Sequence, residues 1–130
     1  MILFAAVISF TYGCSSGDGI KVISATEFSE AVKNDAAAVI VDVRTADEYA
    51  EGHIEGAMNL DVKDSEAFDN GVKAFDKNNT YYVYCRSGRR SHNAAVKIQK
   101  AGFNVVDMDG GIKAWKEAKF PVVVAEAQAE

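Results

Sequence analysis

Apolar strand-like runs alternate with helical patterns along most of this chain. Two runs of apolar, β-branched and aromatic residues, 38–43 and 80–84, are typical of parallel strands that are covered on both faces. Shorter apolar runs at 20–23, 57–60 and 105–108 also predict strands. Because helical patterns separate these runs, the sequence predicts an α/β fold with a mainly parallel central sheet and helices on both faces.

Two of the predicted helices begin at capping boxes. Ser24 with Glu27, and Thr45 with Glu48, have the spacing at which each side chain bonds the other residue's backbone N–H. The first helix is expected to end near residue 33 and the second near residue 52. The other predicted helices are 65–75, 91–101 and 110–118.

A single cysteine follows the most aromatic of the predicted strands. Cys85 comes directly after this strand and before a polar loop and a helix. Backbone N–H groups and the helix dipole converge at such a position, which favours a thiolate and an anionic ligand. A cysteine in an apolar strand is more often an inert core residue. The arginine-rich loop after Cys85 argues instead for a nucleophile that acts on an anionic substrate.

Arginine is concentrated beside this cysteine. The chain contains four arginines, and three of them lie in the six residues that begin at Cys85. Guanidinium forks suit oxyanions, and a glycine gives the loop backbone freedom. The predicted substrate-binding residues are Arg86, Ser87, Gly88, Arg89 and Arg90.

Asp42 and Arg44 follow the other strongly apolar strand. The carboxyl ends of parallel strands meet at one edge of a sheet, so we expect both residues near Cys85. They are candidates for a second layer of support beneath the loop. In the alternative, Asp42 caps local amides and Arg44 pairs with Glu48. The sequence favours a structural role for both residues.

Composition and cysteine content narrow the functional classes. A chain of 130 residues fits one domain, and its net charge of −5 argues against a nucleic-acid partner. Cys85 has no second thiol nearby to resolve a disulfide, and the histidines do not stand at ligand spacing with it. We therefore expect no metal and no cofactor. His53 is expected to be structural, and His92 is expected to face solvent.

The first residues have the character of a leader. Residues 1–10 are nearly all apolar and resemble the core of a secretory signal peptide, yet they are too few to span a bilayer. Gly13, Cys14 and the polar residues that follow resemble a bacterial lipoprotein cleavage site, at which the cysteine is acylated. The sequence thus predicts export to the periplasm, with membrane attachment through Cys14. The alternatives are a cleaved signal without an anchor and a cytoplasmic chain with an N-terminal strand.

These observations divide the chain into three predicted parts. Residues 1–19 form the leader and tether, residues 20–124 form the domain, and residues 125–130 form a tail.

Three blocks of the predicted domain resemble the signatures of single-domain rhodaneses, which are thiosulfate sulfurtransferase-like proteins. The blocks are 41–59, 84–91 and 109–115, and the resemblance extends from about residue 23 to residue 122. It implies that Cys85 attacks the outer sulfur of a small anionic donor such as thiosulfate and forms a persulfide. A thiol or cyanide then accepts the sulfur. Arg86 and Arg89 are the expected donors to substrate oxygens.

Two other classes of function stay open. Phosphatases and arsenate reductases also use a cysteine in an anion-binding loop, but phosphatases on this fold have a longer loop than the one from Cys85 to Arg90. The second alternative is a rhodanese-like module that binds a partner or carries a persulfide without turnover.

Overall fold

The computed structural model describes residues 14–15 and 19–124, and this part of the chain alternates between strands and helices. The strands are β1 (Cys14–Ser15), β2 (Lys21–Ile23), β3 (Ala38–Asp42), β4 (Met58–Asn59), β5 (Thr80–Tyr84) and β6 (Asn104–Met108). The helices are α1 (Ala25–Lys33), α2 (Ala46–Glu51), α3 (Ser65–Lys73), α4 (Arg89–Lys100) and α5 (Gly111–Glu117).

The described strands form one sheet in the order β1-β2-β6-β5-β3-β4. All neighbouring pairs are parallel except β1 with β2, which pair in antiparallel fashion at one edge. The carboxyl ends of β3, β5 and β6 therefore lie side by side at the same edge of the sheet. This arrangement confirms the predicted α/β fold with a mainly parallel sheet.

Helices cover both faces of the sheet, as predicted. Phe68 of α3 and Ile98 of α4 belong to the apolar core on one face. Phe28 of α1 and Trp115 of α5 belong to the core on the other face, where Tyr49 of α2 also packs. Successive strand residues point to opposite faces, so the two cores are filled by alternate residues of the same strands.

Both predicted capping boxes form. Ser24 Oγ accepts a hydrogen bond from the Glu27 N–H, and Glu27 Oε1 accepts one from the Ser24 N–H, each at 3.1 Å. The box of Thr45 and Glu48 has the same pair of bonds, each at 3.3 Å. The beginnings of α1 and α2 are therefore fixed by local sequence.

Helix α4 begins earlier than the sequence predicts. The helical spacing of apolar residues predicts a start at residue 91, whereas α4 begins at Arg89. Gly88 precedes it in the left-handed region at φ 110° and makes no side-chain cap. Arg89 and Arg90 thus belong to the first turn of the helix rather than to the loop. The predicted helix 65–75 is shorter than expected and ends at Lys73.

The predicted leader lies outside the described residues, apart from its last part. Cys14 and Ser15 pair with Val22 and Lys21, so the chain enters the sheet at the predicted cleavage site. Residues 1–13 and the predicted tail at 125–130 are outside the described part of the chain. None of the described helices has both the length and the apolar character that a membrane span requires.

Candidate active site

Cys85 lies at the carboxyl end of β5 with only 1% of its surface exposed. Its Sγ accepts a hydrogen bond from the backbone N–H of Gly88 at 3.0 Å. The loop therefore turns back so that one of its own amides faces the sulfur. A backbone donor in a site with little water stabilises negative charge on the atom that it faces.

The N-terminal end of α4 follows this amide directly. The helix has 12 residues, and no side chain caps its first turn. Unused N–H groups and the helix dipole make such an end favourable for an anion. Arg86, Ser87 and Arg89 have exposed side chains at this position, so they are accessible to a ligand.

Arg90 is bound to a carboxylate from another helix. Its NH1 and NH2 atoms donate to Glu48 Oε1 and Oε2 at 2.7 and 2.9 Å. This bidentate bond lowers the pKa of Glu48 to about 2. Arg90 lies two residues after Gly88, whose N–H donates to Cys85 Sγ. Glu48 therefore holds the guanidinium of Arg90 near the cysteine loop, and this bidentate bond uses only two of its five N–H donors.

Asp42 and Arg44 form a buried ion pair at the end of β3. Arg44 Nε and NH2 donate to Asp42 Oδ1 and Oδ2 at 3.0 and 2.7 Å, and Asp42 Oδ1 also accepts the Arg44 backbone N–H at 3.0 Å. Arg44 NH2 bonds the carbonyl of Gly52 at 2.7 Å as well. The predicted alternative in which Arg44 pairs with Glu48 is therefore wrong, because Glu48 is taken by Arg90.

Residues next to this ion pair connect β3 to the end of β5, the strand that precedes the cysteine. The N–H of Val43 donates to the carbonyl of Tyr84, the residue before Cys85, at 3.1 Å. The side chain of Asn59 closes the same region by donating to the carbonyls of Asp42 and Arg44 at 3.0 and 2.9 Å. The end of β3 thus holds the end of β5 in place.

The junction between β6 and α5 holds the cysteine loop from the other side. The N–H groups of Ile112 and Lys113 donate to the carbonyls of Cys85 and Arg86 at 2.9 and 3.2 Å. Gly111 allows this approach, because a Cβ there would lie 2.5 Å from backbone atoms of both loop residues. The double glycine at 110–111 predicts a helix start, and in the structure it also permits this close contact.

Comparison with known proteins decides the family. The model of the rhodanese-like domain matches residues 24–118. The chain belongs to the rhodanese-like domain family. This match includes Cys85 and all of the blocks in which the sequence resembles rhodaneses, so it confirms that resemblance.

Relatives of this rhodanese-like domain include named sulfurtransferases. It is 35% identical over 91 residues to the thiosulfate sulfurtransferase GlpE of Stutzerimonas stutzeri, covering 69% of this chain and 80% of the relative. It is 37% identical over 74 residues to the thiosulfate sulfurtransferase PspE of Escherichia coli, covering 56% and 69%. The structure of a rhodanese-related protein from Thermoplasma volcanium superposes with a TM-score of 0.71 at 31% identity, covering 79% and 97%.

A buried carboxylate lies beside α4 of the rhodanese-like domain, the helix that follows the Cys85 loop. Asp107 on β6 is 2% exposed, and its Oδ1 has no hydrogen-bond partner among the described residues. Burial raises the pKa of Asp107 to about 6, although a hydrogen bond from Ser91 and the charge of His92 act in the opposite direction. His92 Nδ1 lies 3.9 Å from Asp107 Oδ2, and its side chain is 32% exposed, so His92 reaches solvent and also approaches this carboxylate.

Side chains of the metal-ligating type do not gather at this site. Within residues 14–15 and 19–124, no three His, Cys, Asp or Glu side chains are grouped in a way that could hold a metal ion. His53 is part of the local structure. Its Nδ1 lies 2.9 Å from the carbonyl of Tyr49, and its ring stacks on the Tyr49 ring at 3.7 Å.

Proposed function

We propose that this protein is a sulfurtransferase that moves a sulfane sulfur from thiosulfate, or a similar anionic donor, to a thiol or cyanide. The observation that carries the proposal is the 3.0 Å hydrogen bond from the Gly88 N–H to Cys85 Sγ, at the uncapped start of α4. The names of the relatives GlpE and PspE support the choice of thiosulfate as donor.

The first step loads sulfur onto the enzyme. The Cys85 thiolate attacks the outer sulfur of thiosulfate, a new S–S bond forms, and the bond to the sulfonate sulfur breaks. Sulfite leaves with the electron pair of that bond, and the persulfide anion remains on Cys85. The Gly88 N–H and the start of α4 are positioned to stabilise the negative charge during this exchange.

The second step unloads the enzyme. A thiolate or cyanide attacks the outer sulfur of the persulfide, and the electron pair of the broken S–S bond returns to Cys85 Sγ. The products are the acceptor persulfide, or thiocyanate, and the free enzyme. No general base is needed at Cys85, because the thiolate itself is both the nucleophile and the leaving group.

The exposed arginines suit the oxygens of the donor. Arg86 and Arg89 have exposed side chains beside the loop, and guanidinium groups bind sulfonate oxygens well. Arg90 contributes differently, because its fork is already bound to Glu48. The loop from Cys85 to Arg90 is also shorter than that of phosphatases on this fold, which argues against a phosphatase.

Mass spectrometry of the intact protein tests the proposal. After incubation with thiosulfate, the wild-type protein should gain the mass of one sulfur, and Cys85→Ser should gain none and should form no thiocyanate. Cys14→Ser is the matched control, because it removes the only other cysteine of the chain and should leave loading intact. Full thiocyanate formation by Cys85→Ser would contradict the covalent mechanism.

Steady-state kinetics separate an enzyme from a carrier. A sulfurtransferase releases many thiocyanate molecules per Cys85 when thiosulfate and cyanide are both present. A persulfide carrier that depends on partner proteins to load or unload forms little thiocyanate from these two small molecules alone. Hydrolysis of an aryl phosphate without persulfide formation would favour the phosphatase instead.

We also propose that the protein is exported and attached to a membrane through Cys14. The apolar residues 1–10 and the sequence Gly13–Cys14 support this location. Fractionation of cells that express the full chain should find it with the membranes, and Cys14→Ala should release it to the soluble exported fraction. Recovery of an uncleaved cytoplasmic chain would contradict export.

A further inference from the structure

Positive charge is concentrated around α4 in an otherwise acidic chain. Residues 77–106 contain six Lys and Arg and no Asp or Glu, whereas the net charge of the whole chain is −5. Helix α4 carries four of these cations: Arg89, Arg90, Lys97 and Lys100. Such an asymmetry produces a local positive field on one part of the surface.

Two concave regions follow one side of this helix. The first, of about 630 Å³, lies between α4 and the segment after β4, and its lining includes Lys63, Arg90 and Lys97. The second, of about 420 Å³, lies between α4 and α3, and its lining includes Phe68, Lys97 and Phe103. Lys97 lines both regions, so they adjoin each other along α4, and we treat them together as one groove. We call it the α4 groove, and its defining residues are Val62, Lys63, Phe68, Arg90, Lys97 and Phe103.

The α4 groove has an apolar floor and a cationic rim. Val62, Val96 and Phe103 are half-buried and supply the accessible apolar surface, whereas the side chains of Lys63 and Lys97 are exposed. Lys97 Nζ lies 5.5 Å from the centre of the Phe68 ring, and neither lysine forms an ion pair with a described carboxylate. Asp69 is the one carboxylate in the groove lining. The groove is therefore complementary to a ligand that combines apolar groups with negative charge.

One end of the groove reaches the active site. Arg90 lines the groove and lies two residues after Gly88, whose N–H donates to Cys85 Sγ at 3.0 Å. From Arg90 to Ala101 the helix is about 18 Å long at 1.5 Å per residue. An extended chain of about five residues covers that length. A small thiol would fill only the end beside Cys85, so the shape favours an extended peptide.

We propose that the α4 groove binds an acidic segment of an acceptor protein, whose cysteine takes the sulfur from Cys85. This inference rests on the proposed sulfurtransferase function and identifies its second substrate. The acceptor thiolate attacks the outer sulfur of the Cys85 persulfide, and a new S–S bond forms in the acceptor. The bond to Cys85 Sγ breaks, and its electron pair returns to Cys85, so no oxidant or reductant is needed.

Two synthetic peptides test the charge of the acceptor. Each has one cysteine followed by a short segment with leucines, and the segment carries glutamates in one peptide and glutamines in the other. Transfer from thiosulfate-loaded protein is followed by the mass of the peptide persulfide. The wild-type protein should have a KM for the glutamate peptide about tenfold below that for the glutamine peptide.

Charge reversal locates the binding site. The double variant Lys63→Glu, Lys97→Glu should remove the preference for the glutamate peptide, so the ratio of the two KM values should change about tenfold or more. The matched control is Lys33→Glu, Lys116→Glu, which makes the same charge change at exposed positions on α1 and α5. This control should keep the wild-type ratio. Circular dichroism and thermal unfolding check that both variants are folded.

Three results would overturn the inference. One is a wild-type protein without preference for the glutamate peptide, and another is an equal change of the KM ratio in both double variants. The third is groove-dependent binding to phosphatidylglycerol vesicles together with an unchanged peptide ratio, which would assign the groove to a lipid surface.

Failure of sulfur loading would be a different result. If Cys85 takes no sulfur from thiosulfate, the proposed function fails, and the groove is then tested by fluorescence anisotropy of the glutamate peptide with a blocked cysteine. Binding that only the groove variant loses would support the groove as a docking site. Equal binding by both double variants would reject it.

Discussion

Helices α1 and α2 begin at side-chain caps, whereas α4 and α5 begin at glycines. Ser24 and Thr45 accept hydrogen bonds from the first turns of their own helices. Gly88 and Gly110 have left-handed backbones and offer no such acceptor. The donors at the glycine-capped ends are used elsewhere: on Cys85 Sγ, and on the carbonyls of the Cys85 loop. The two helices without side-chain caps are thus the two whose starts bond the sulfur or the loop of Cys85.

Acidic residues follow the same division. The first turns of α1 and α2 contain their own carboxylates, whereas the first turn of α4 contains none. Carboxylates from other elements approach α4 instead, since Glu48 binds Arg90 and Asp107 lies beside His92. The carboxylates near the start of α4 therefore come from α2 and β6, and the first turn of α4 contributes none.

Substitution of Gly111, at the start of α5, should have the largest effect on both stability and activity. Gly111→Ala introduces a Cβ 2.5 Å from the carbonyls of Cys85 and Arg86, at a backbone φ of 58°. We expect the free energy of unfolding to fall by about 3 kcal/mol and thiocyanate formation to fall about a hundredfold, because the loop must move.

Gly56 provides the matched control for this substitution. It also has a positive φ, 84°, but a Cβ there would meet no atom within 4 Å. Gly56→Ala should therefore cost only about 1 kcal/mol and leave catalysis near the wild-type rate. Equal losses of activity in the two alanine variants would show that backbone strain, rather than the contact with the loop, is responsible.

Lengthening the Cys85 loop should reduce kcat and should affect the stability of the protein less than the Gly111 substitution does. One glycine inserted after Gly88 moves the N–H groups and the dipole of the α4 start away from Cys85, whereas the Gly88 N–H itself precedes the insertion. We expect kcat for thiocyanate formation to fall by about tenfold to a hundredfold, since misplaced donors act mainly on the chemical step. The same insertion between Asn78 and Asn79, in the turn before β5, is the control. Wild-type kcat in the loop variant would contradict a role for these donors.

Asp107 should make the free energy of unfolding of the protein depend on pH in the acidic range. Its pKa is raised from 3.8 to about 6, so between these pH values the folded protein binds more protons than the unfolded chain. Stability from this group therefore falls as the pH rises from about 4 to about 6 and is constant above that range. Asp107→Asn should lack this fall and be more stable above pH 6 by on the order of 2 kcal/mol. Urea unfolding across this range measures the difference, with the exposed Asp69→Asn as control.

Removal of a side-chain cap should have the smallest effect. Ser24→Ala deletes the acceptor for the Glu27 N–H at the start of α1. We expect a loss of about 1 kcal/mol of stability and an unchanged kcat, because α1 has no contact with the cysteine loop through its cap. A large fall in kcat would show that the capped start of α1 also affects the Cys85 loop.

Local signals predicted most of the fold. Apolar runs marked the buried strands, and serine or threonine three residues before glutamate marked the starts of α1 and α2. The start of α4 was misjudged by two residues because a glycine cap leaves no side-chain signal and the first turn carries two arginines. Cys85 could be identified from the sequence as a candidate nucleophile because the strand, the loop and the helix that surround it are contiguous in sequence.

Long-range contacts of the site were not predictable from the sequence. Glu48 and Arg90 are 42 positions apart, and the sequence offers Glu48 only nearer partners, Thr45 in the capping box and Arg44. Asp107 approaches α4 because β6 lies beside β5 in the sheet. Neither contact follows from spacing along the chain, since each depends on which strands and helices are neighbours in space.

The hydrogen bonds between α5 and the cysteine loop give the site a remote reporter. The amide protons of Ile112 and Lys113 are held by the carbonyls of Cys85 and Arg86, so they exchange with deuterium only when these two segments separate. Their exchange rates therefore measure how often the loop leaves its position, without a probe on the sulfur itself. A persulfide that tightens the loop would slow these two amides selectively, and Trp115 on the same helix would lie one turn away from the change.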